Sequence, residues 1–218
     1  MVAAELLRPG LLQGVSLLVA GAPPPADTMP VAEAPAPALA DSLGSAVGEE
    51  CAQLGARVHT CAPDVADEAI VDQTVIAAVA VTGSLDLLVV DGAELFAHGL
   101  ADGRGAHPAR AALRTCLDAA WNITRAVVNL AFLPAAQSSR IVYLAPAAAG
   151  GEHADAARAG LENLGRTLSI EWARHGITLV TIAPGDGTTA GEVAALTAYL
   201  ASSAGAYFSG CLLDLRGP

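Results

Sequence analysis

The chain contains no lysine; all eleven of its basic residues are arginine, so no side-chain ammonium is available to any site. Aromatic residues are scarce as well, at 4% of 218, while 53% of the chain is hydrophobic. The core must therefore be built from Ala, Val and Leu, which favour close helix packing. Positive charge is short overall: the net charge is −11 and the sequence pI ≈ 4.7, which excludes nucleic acid and anionic membrane surfaces as partners. No apolar run approaches the ~20 residues of a membrane span. Paired cysteine spacing is missing too. Cys51, Cys61, Cys116 and Cys211 stand far apart in the sequence, and the apolar run Ser16 to Ala22 is too short for a signal peptide, with Glu5 upstream of it. These absences predict reduced, mostly buried thiols in a cytoplasmic protein.

What is present is a repeating alternation of apolar strands and helices in a chain short enough for a single domain, residues 1–218. Leu11 to Ala22 reads as a first buried strand that ends at Gly21. Ala22 to Ala40 follows, with Pro23, Pro24, Pro25, Pro30, Pro35 and Pro37 removing backbone donors, and predicts an irregular, mostly extended crossing with a short strand near Met29 to Glu33. Asp41 to Leu54 predicts a helix capped by Asp41 or Ser42 and stopped at Gly55.

Arg57 to Cys61 predicts a strand. Asp64 and Asp67 introduce a helix with Ile70, Val71, Thr74, Val75 and Ala78 on one face, stopped at Gly83. Leu87 to Val90 is a further apolar strand, and 91–108 reads as loop. A long helix then runs from Pro108 to about Ala131, with Leu113, Leu117, Ala120, Thr124, Val127 and Ala131 as its stripe.

The stretch Arg140 to Ile182 is the most informative. It predicts a strand at 141–144, a helix with Leu161, Leu164, Leu168 and Trp172 on one face that Gly176 stops, and a strand at 179–182. Glu192 to Ala201 predicts a short helix and Tyr207 to Leu215 a last strand. Strands apolar throughout, alternating with helices, imply an α/β fold: a Rossmann-like, doubly wound parallel sheet covered on both faces.

From about Gly55 onward the chain resembles the short-chain dehydrogenase/reductase family. The resemblance rests on the segments GARVHTCAPDVADEA, SLDLLVVDGAE, WNITRAVVNLAF, SRIVYLA, ARAGLENLGRTLSIEWARHGITLVTIAPG and EVAALTAYLASSAGAYFSGCLLDLRG in that order, roughly three quarters of the chain. It implies that NAD(P) would lie on a glycine-rich turn, TGxxxGxG, after the first strand, where backbone amides meet pyrophosphate at a helix N-terminus.

The corresponding text here is Ala20-Gly21-Ala22-Pro23-Pro24-Pro25. Residues 40–54 align better with the family's second helix, although a second register makes Ser42-Leu43-Gly44 the relic of the glycine motif. The first βαβ unit is therefore expected to be degenerate and the chain to bind no cofactor itself, NAD(P) lying in a partner. The family's Asn-Asn-Ala-Gly turn falls at Val90-Asp91-Gly92-Ala93, with Asp91 expected as a capping or loop residue.

The resemblance further implies an Asn–Ser–Tyr–Lys catalytic group, in which the tyrosine is the general acid/base and the lysine depresses its pKa. The serine falls at Ala145 or Pro146, the tyrosine at Ala154, the lysine at Arg158 and the asparagine near Cys116. Between Gly185 and Glu192, where the family places two substrate-covering helices, only Asp186 to Gly191 remains. The expectation is thus a catalytically inactive subunit with no catalytic, cofactor or metal residues of its own. It would associate with a homologous active subunit in a heterodimer or heterotetramer, with self-association as a further option. Trp121, Arg125, Leu161, Leu168 and Trp172, on the two helices that family members use for assembly, are the expected interface. The alternatives are altered acid/base chemistry around His153 with Glu152 or Asp155, and a small-ligand sensor.

Overall fold

The computed structural model describes residues 7–21, 42–61, 67–101 and 107–216. The possible strand near Met29 to Glu33, the proline-rich crossing, Asp41 and Asp64 lie outside them. Six parallel strands form one sheet in the order β2-β1-β3-β4-β5-β6. These are β1 (Ser16–Ala20), β2 (Arg57–Cys61), β3 (Leu87–Asp91), β4 (Ser139–Leu144), β5 (Ile177–Ala183) and β6 (Cys211–Asp214). β1 and β3 are buried along their whole length, which is why they read as unbroken apolar runs rather than alternating ones.

The alternation is there in space. Leu18, Leu88, Ile141 and Tyr143 face one core; Leu17, Leu87, Val142 and Leu144 face the other. The first core is covered by α2 (Glu68–Thr82), α4 (Pro108–Val127) and α6 (Ala154–Glu171), and the second by α1 (Leu43–Gln53) and α7 (Ala190–Ala201). In α4 the stripe Ala120, Thr124 and Val127 is fully buried, as its spacing predicts.

Four local readings are corrected. Among the described residues α1 is the helix between β1 and a β2 that pairs directly with β1, Leu18 opposite His59. It therefore sits in the seat of a first crossover helix, where a second was expected. It can take that seat because Gly44 and Gly48 let it approach Val19 and Val58 closely, while Val47 and Cys51 fill the core. Second, residues after Asp91 are not loop: α3 (Gly92–Ala101) starts there, buries Leu95 and Phe96, and sets Gly99 against Ala112.

Third, Ile70 on α2 is turned outward at 56% exposure, whereas Val71, Val75 and Ala78 are buried. Fourth, the last strand covers only Cys211–Asp214, after a 3-10 turn at Ser203–Tyr207. The long helix passes through a π-helical turn at Val128–Phe132 into the short α5 (Leu133–Ala135), and it ends where Ala136 adopts φ 50°.

Capping follows the sequence closely elsewhere. Ser42 caps α1 and Asp67 caps α2, while Thr189 and Glu192 form a reciprocal capping box on α7. Among the described residues no helix is long and apolar enough to cross a membrane.

Candidate functional site at the carboxyl edge of the sheet

In an open parallel sheet the crevice for ligands lies where strand order reverses, outside the carboxyl ends of the strands. Here the chain leaves β1 toward β2 on one side and β3 lies on the other, so the reversal falls between β1 and β3. Three segments meet at that point: Gly21 after β1, the first turn of α1, and Asp91 at the end of β3. Gly21 has φ +99°, and a Cβ there would stand 2.9 Å from the Asp91 carbonyl oxygen. A Cβ on Gly44 would stand 2.9 Å from Asp91 Oδ2. Both positions require glycine, one for its backbone angle and both for close approach.

Asp91 is fully buried and ties this edge together. The Gly44 N–H at the start of α1 donates to Asp91 Oδ2 at 2.6 Å, and the Glu94 N–H in α3 donates to Asp91 Oδ1 at 3.0 Å. The capping role expected for Asp91 is what the structure shows, on two helices at once. Burial pushes its carboxyl up to about 6, against the backbone hydrogen bonds that favour the ionised form.

The second half of the edge lies over β4 and β5. Ala145, Pro146 and Ala154 are all buried there, and Gly150 packs beside them: a Cβ on it would be 3.6 Å from Ala154 Cβ and 3.8 Å from Pro146 Cβ. Arg158, one turn further along α6, is 7% exposed. Its Nη1 donates to Pro146 O and to Pro184 O, both at 2.8 Å, so one guanidinium nitrogen joins the loop after β4 to the loop after β5. Among the described residues its Nη2 has no hydrogen-bond partner and stands 3.9 Å from Asp214 Oδ1. Burial, with Arg216 close by, pulls Arg158 below the usual guanidinium range, and Asp214 acts in the opposite sense.

Cys116, at the family's asparagine position, donates from Sγ to Gly92 O at 3.3 Å, and burial pushes its thiol up to about 12. Tyr143 is a core residue: its hydroxyl shares a hydrogen bond of 3.0 Å with Thr124, and burial drives its pKa upward. From β5 the chain reaches α7 by a single turn. Gly185 N–H donates to Thr188 Oγ1 at 2.9 Å, and Thr189 already caps the helix.

Glu152 and His153 share an open groove of ≈ 430 Å³ with His107, Arg110 and Leu113, and His153 Nε2 lies 3.6 Å from Glu152 Oε1. His153 holds φ +68° at the start of α6. Asp155 is not in that groove; its charge acts on Arg158 and Arg216 instead. Arg110 was not singled out from the sequence, and His107 showed no ligand spacing there. Their only signal was a histidine immediately before the Pro108 helix start.

The expected interface residues separate. Leu161 and Leu168 face the chain's own core, so they are corrected to packing positions. Arg125 joins α4 to α2, at 3.0 Å from Asp72 Oδ1 and 3.6 Å from Glu68 Oε2. Trp172 is half-buried against the core, and Trp121 is exposed at 41%.

The profile of the short chain dehydrogenase family matches residues 36–198. No curated protein sequence matches. Among solved structures the chain is similar to a short chain dehydrogenase from Mycobacterium smegmatis, with TM-score 0.72, 22% identity and coverage of 95% of this chain and 94% of that one. It is similar also to a citronellol catabolism dehydrogenase of Pseudomonas aeruginosa PAO1, with TM-score 0.68, 22% identity and 96% of each chain covered. A hydroxysteroid dehydrogenase from Escherichia coli aligns over 99% of both chains with TM-score 0.69 and 15% identity. At these identities the structures establish the fold.

The family match overturns the expectation that this chain holds no cofactor and leaves NAD(P) to a partner. Members of this family typically bind NAD(P), so the expectation of none does not stand. The described residues at this edge do not by themselves fit the group's pyrophosphate, since a buried carboxylate closes it. Gly21 and Gly44 pack directly on the chain's own Asp91, where a Cβ at either would stand 2.9 Å from an Asp91 oxygen, and the Gly44 N–H is taken by the Asp91 carboxylate. Seat, sheet order and matched profile agree on one assignment: the chain belongs to the short chain dehydrogenase family.

Proposed function

We propose that this chain is a subunit of a short-chain dehydrogenase assembly whose proton-transfer chemistry is supplied by a homologous active subunit, in a heterodimer or heterotetramer. The observation that carries the reading is the occupancy of the family's acid/base positions. By the resemblance, the hydroxyl falls at Ala145 or Pro146 and the phenol at Ala154, all buried, and the ammonium at Arg158, committed to two proline carbonyls. Alcohol oxidation or ketone reduction needs a group that gives up or accepts a proton near neutral pH. Methyl groups cannot do this, and a guanidinium stays charged. Exposed Trp121 on α4 and Ile170 on α6 (78% exposed) give the two outer helices apolar surface for association.

The test is expression of the chain alone and together with an intact short-chain dehydrogenase from its own host, followed by co-purification and NAD(P)-linked turnover. Co-elution, with partner activity or thermal stability raised by this chain, is the expected result. Turnover by the chain alone, or a partner indifferent to its presence, would refute the proposal.

A second reading, acid/base chemistry at His153 with Glu152, draws support from the shared groove with His107 and Arg110. It predicts that any activity of the isolated chain disappears in His153→Ala and survives Arg158→Lys.

A further inference from the structure

Three basic side chains, His107, Arg110 and Arg114, follow one another at the start of α4 at spacings of three and four, which place them on one side of the helix. The placement costs the fold stability. Like charges one turn apart repel, and a cation in the first turn opposes the helix dipole. Helices α2, α6 and α7 put Glu68, Asp155 and Glu192 in that turn, whereas α4 has no acid there. Arg114 is relieved in part by Asp118, at 3.7 Å. Among the described residues, Arg110 and His107 make no hydrogen bond or ion pair. In a chain of net charge −11, a guanidinium is not left unpaired for want of carboxylates.

These side chains open onto a groove. His107 and Arg110 line a hollow of ≈ 430 Å³ to which α4 also gives the apolar Pro108, Ala109 and Leu113. A second hollow of ≈ 560 Å³ runs past the same His107, Arg110 and Leu113 to Arg114. Both volumes fall in the ~300–1,000 Å³ range of small-ligand sites. Leu113 is packed against the core, so the apolar surface is fixed in place. The one carboxylate of the lining, Glu152, stands 3.6 Å from His153 Nε2, so its charge is met on its own side of the groove.

We propose that this groove binds a small organic carboxylate, its head group on Arg110 and His107 and its apolar tail against Pro108 and Leu113. A guanidinium presents a planar pair of N–H donors that matches a carboxylate, and the imidazole adds a further donor beside it. The bound anion removes the cost of the basic row, because it is shared between side chains that otherwise repel. The apolar stretch separates an organic acid from a bare anion, which has nothing to set against Pro108 and Leu113. The proposal rests on the groove alone. It requires neither the subunit role nor His153 as an acid or base, and no bond is made or broken.

The test titrates the full chain with hexanoate and follows the histidine imidazole signals by NMR, with hexanamide and inorganic phosphate as comparisons. The expected result is a saturable shift of the His107 signals with a Kd of about 1 mM. Hexanamide, which keeps the tail and loses the charge, is expected to bind at least about tenfold more weakly. Arg110 is exposed, so Arg110→Gln should fold as wild type and weaken hexanoate about tenfold, while Arg57→Gln, at an exposed arginine on β2, leaves it unchanged. Equal binding of hexanoate and hexanamide, an Arg110→Gln Kd equal to that of wild type, or no saturable shift at about ten times the expected Kd would each overturn the proposal. Phosphate displacing hexanoate at equal concentration would overturn it too, since the site would then be bare charge. If Arg110→Gln does not fold, the comparison of acid with amide on wild type decides alone. Subunit association is read separately by co-elution, so failure here leaves that proposal standing, and the reverse holds too.

Discussion

Replacing Arg158 by methionine isolates what its guanidinium does for the fold. Methionine keeps much of the side-chain length and apolar stem, so the change removes mainly the donors. Two buried carbonyls, Pro146 O and Pro184 O, each lose a 2.8 Å hydrogen bond. Leaving a buried acceptor unpaired costs ~1–3 kcal/mol, so the gross loss is ~2–6 kcal/mol. Part of this is offset, because the buried guanidinium carries one unpartnered nitrogen and lies near Arg216. Asp214 keeps its own pairing with Arg216, at 2.9 Å from Nε, so it is not orphaned.

The net expectation is a destabilisation of about 2–4 kcal/mol, a large part of the ~5–15 kcal/mol available to a domain. With a urea m-value of about 3 kcal/mol/M, the unfolding midpoint should fall by about 1 M at unchanged m. Arg158→Lys should lie between wild type and Arg158→Met, since a compact ammonium cannot span two divergent carbonyls as a planar fork does. A midpoint for Arg158→Met within ~0.2 M of wild type would refute the reasoning, and would mean that water satisfies both carbonyls.

Two further outcomes follow from burial. The folded-state pKa of Asp91, about 6, lies above the ordinary carboxyl value of 3.8, so its contribution to stability is fully present below pH ~4 and lost as pH rises through 6. Urea unfolding of wild type and Asp91→Asn side by side should show the difference shifting in favour of the variant between pH 4 and 6, by up to about 3 kcal/mol, and staying constant above; a difference flat with pH would contradict it. Cys51, Cys61 and Cys116 are buried, with thiols pushed up to about 12, about 11 and about 12, whereas Cys211 is half-exposed. A thiol-specific disulfide reagent at pH 8 should therefore label Cys211 quickly and the other three only in denaturant, and rapid labelling of two or more would refute the packing around them.

Much of the fold was legible because continuous burial leaves a plain mark. Strands such as Leu87 to Val90 are apolar on both faces, and nothing but a covered parallel sheet explains them. Capping residues were equally plain at Ser42 and Asp67, which act within three residues of themselves, though not at Thr189.

What escaped was decided at long range. α3 begins on Asp91, whose side chain caps both its own helix and a helix 47 residues away, and the sequence shows only the nearer partner. The seat of α1 depended on Gly44 and Gly48 meeting Val19 and Val58, a contact that periodicity does not report. Leu161 and Leu168 keep the spacing of an outer stripe as well as an inner one, and only the packing against β4 and β5 settles which. Arg158 looked like a charge-conserving replacement; that it clamps two loops depends on the distance between strand ends.

The two ends of the crevice differ in a way that bears on how it could work. At the β4–β5 end, Arg158 supplies donors to two buried backbone acceptors, so its charge is part of the fold and removing it must cost stability. At the β1–β3 end, Asp91 supplies an acceptor to backbone donors, yet burial makes the fold prefer it protonated. The two ends therefore answer pH differently: the Arg158 guanidinium keeps its charge, whereas Asp91 gives up its proton as pH rises through about 6, and with it the stability that burial lends the neutral form.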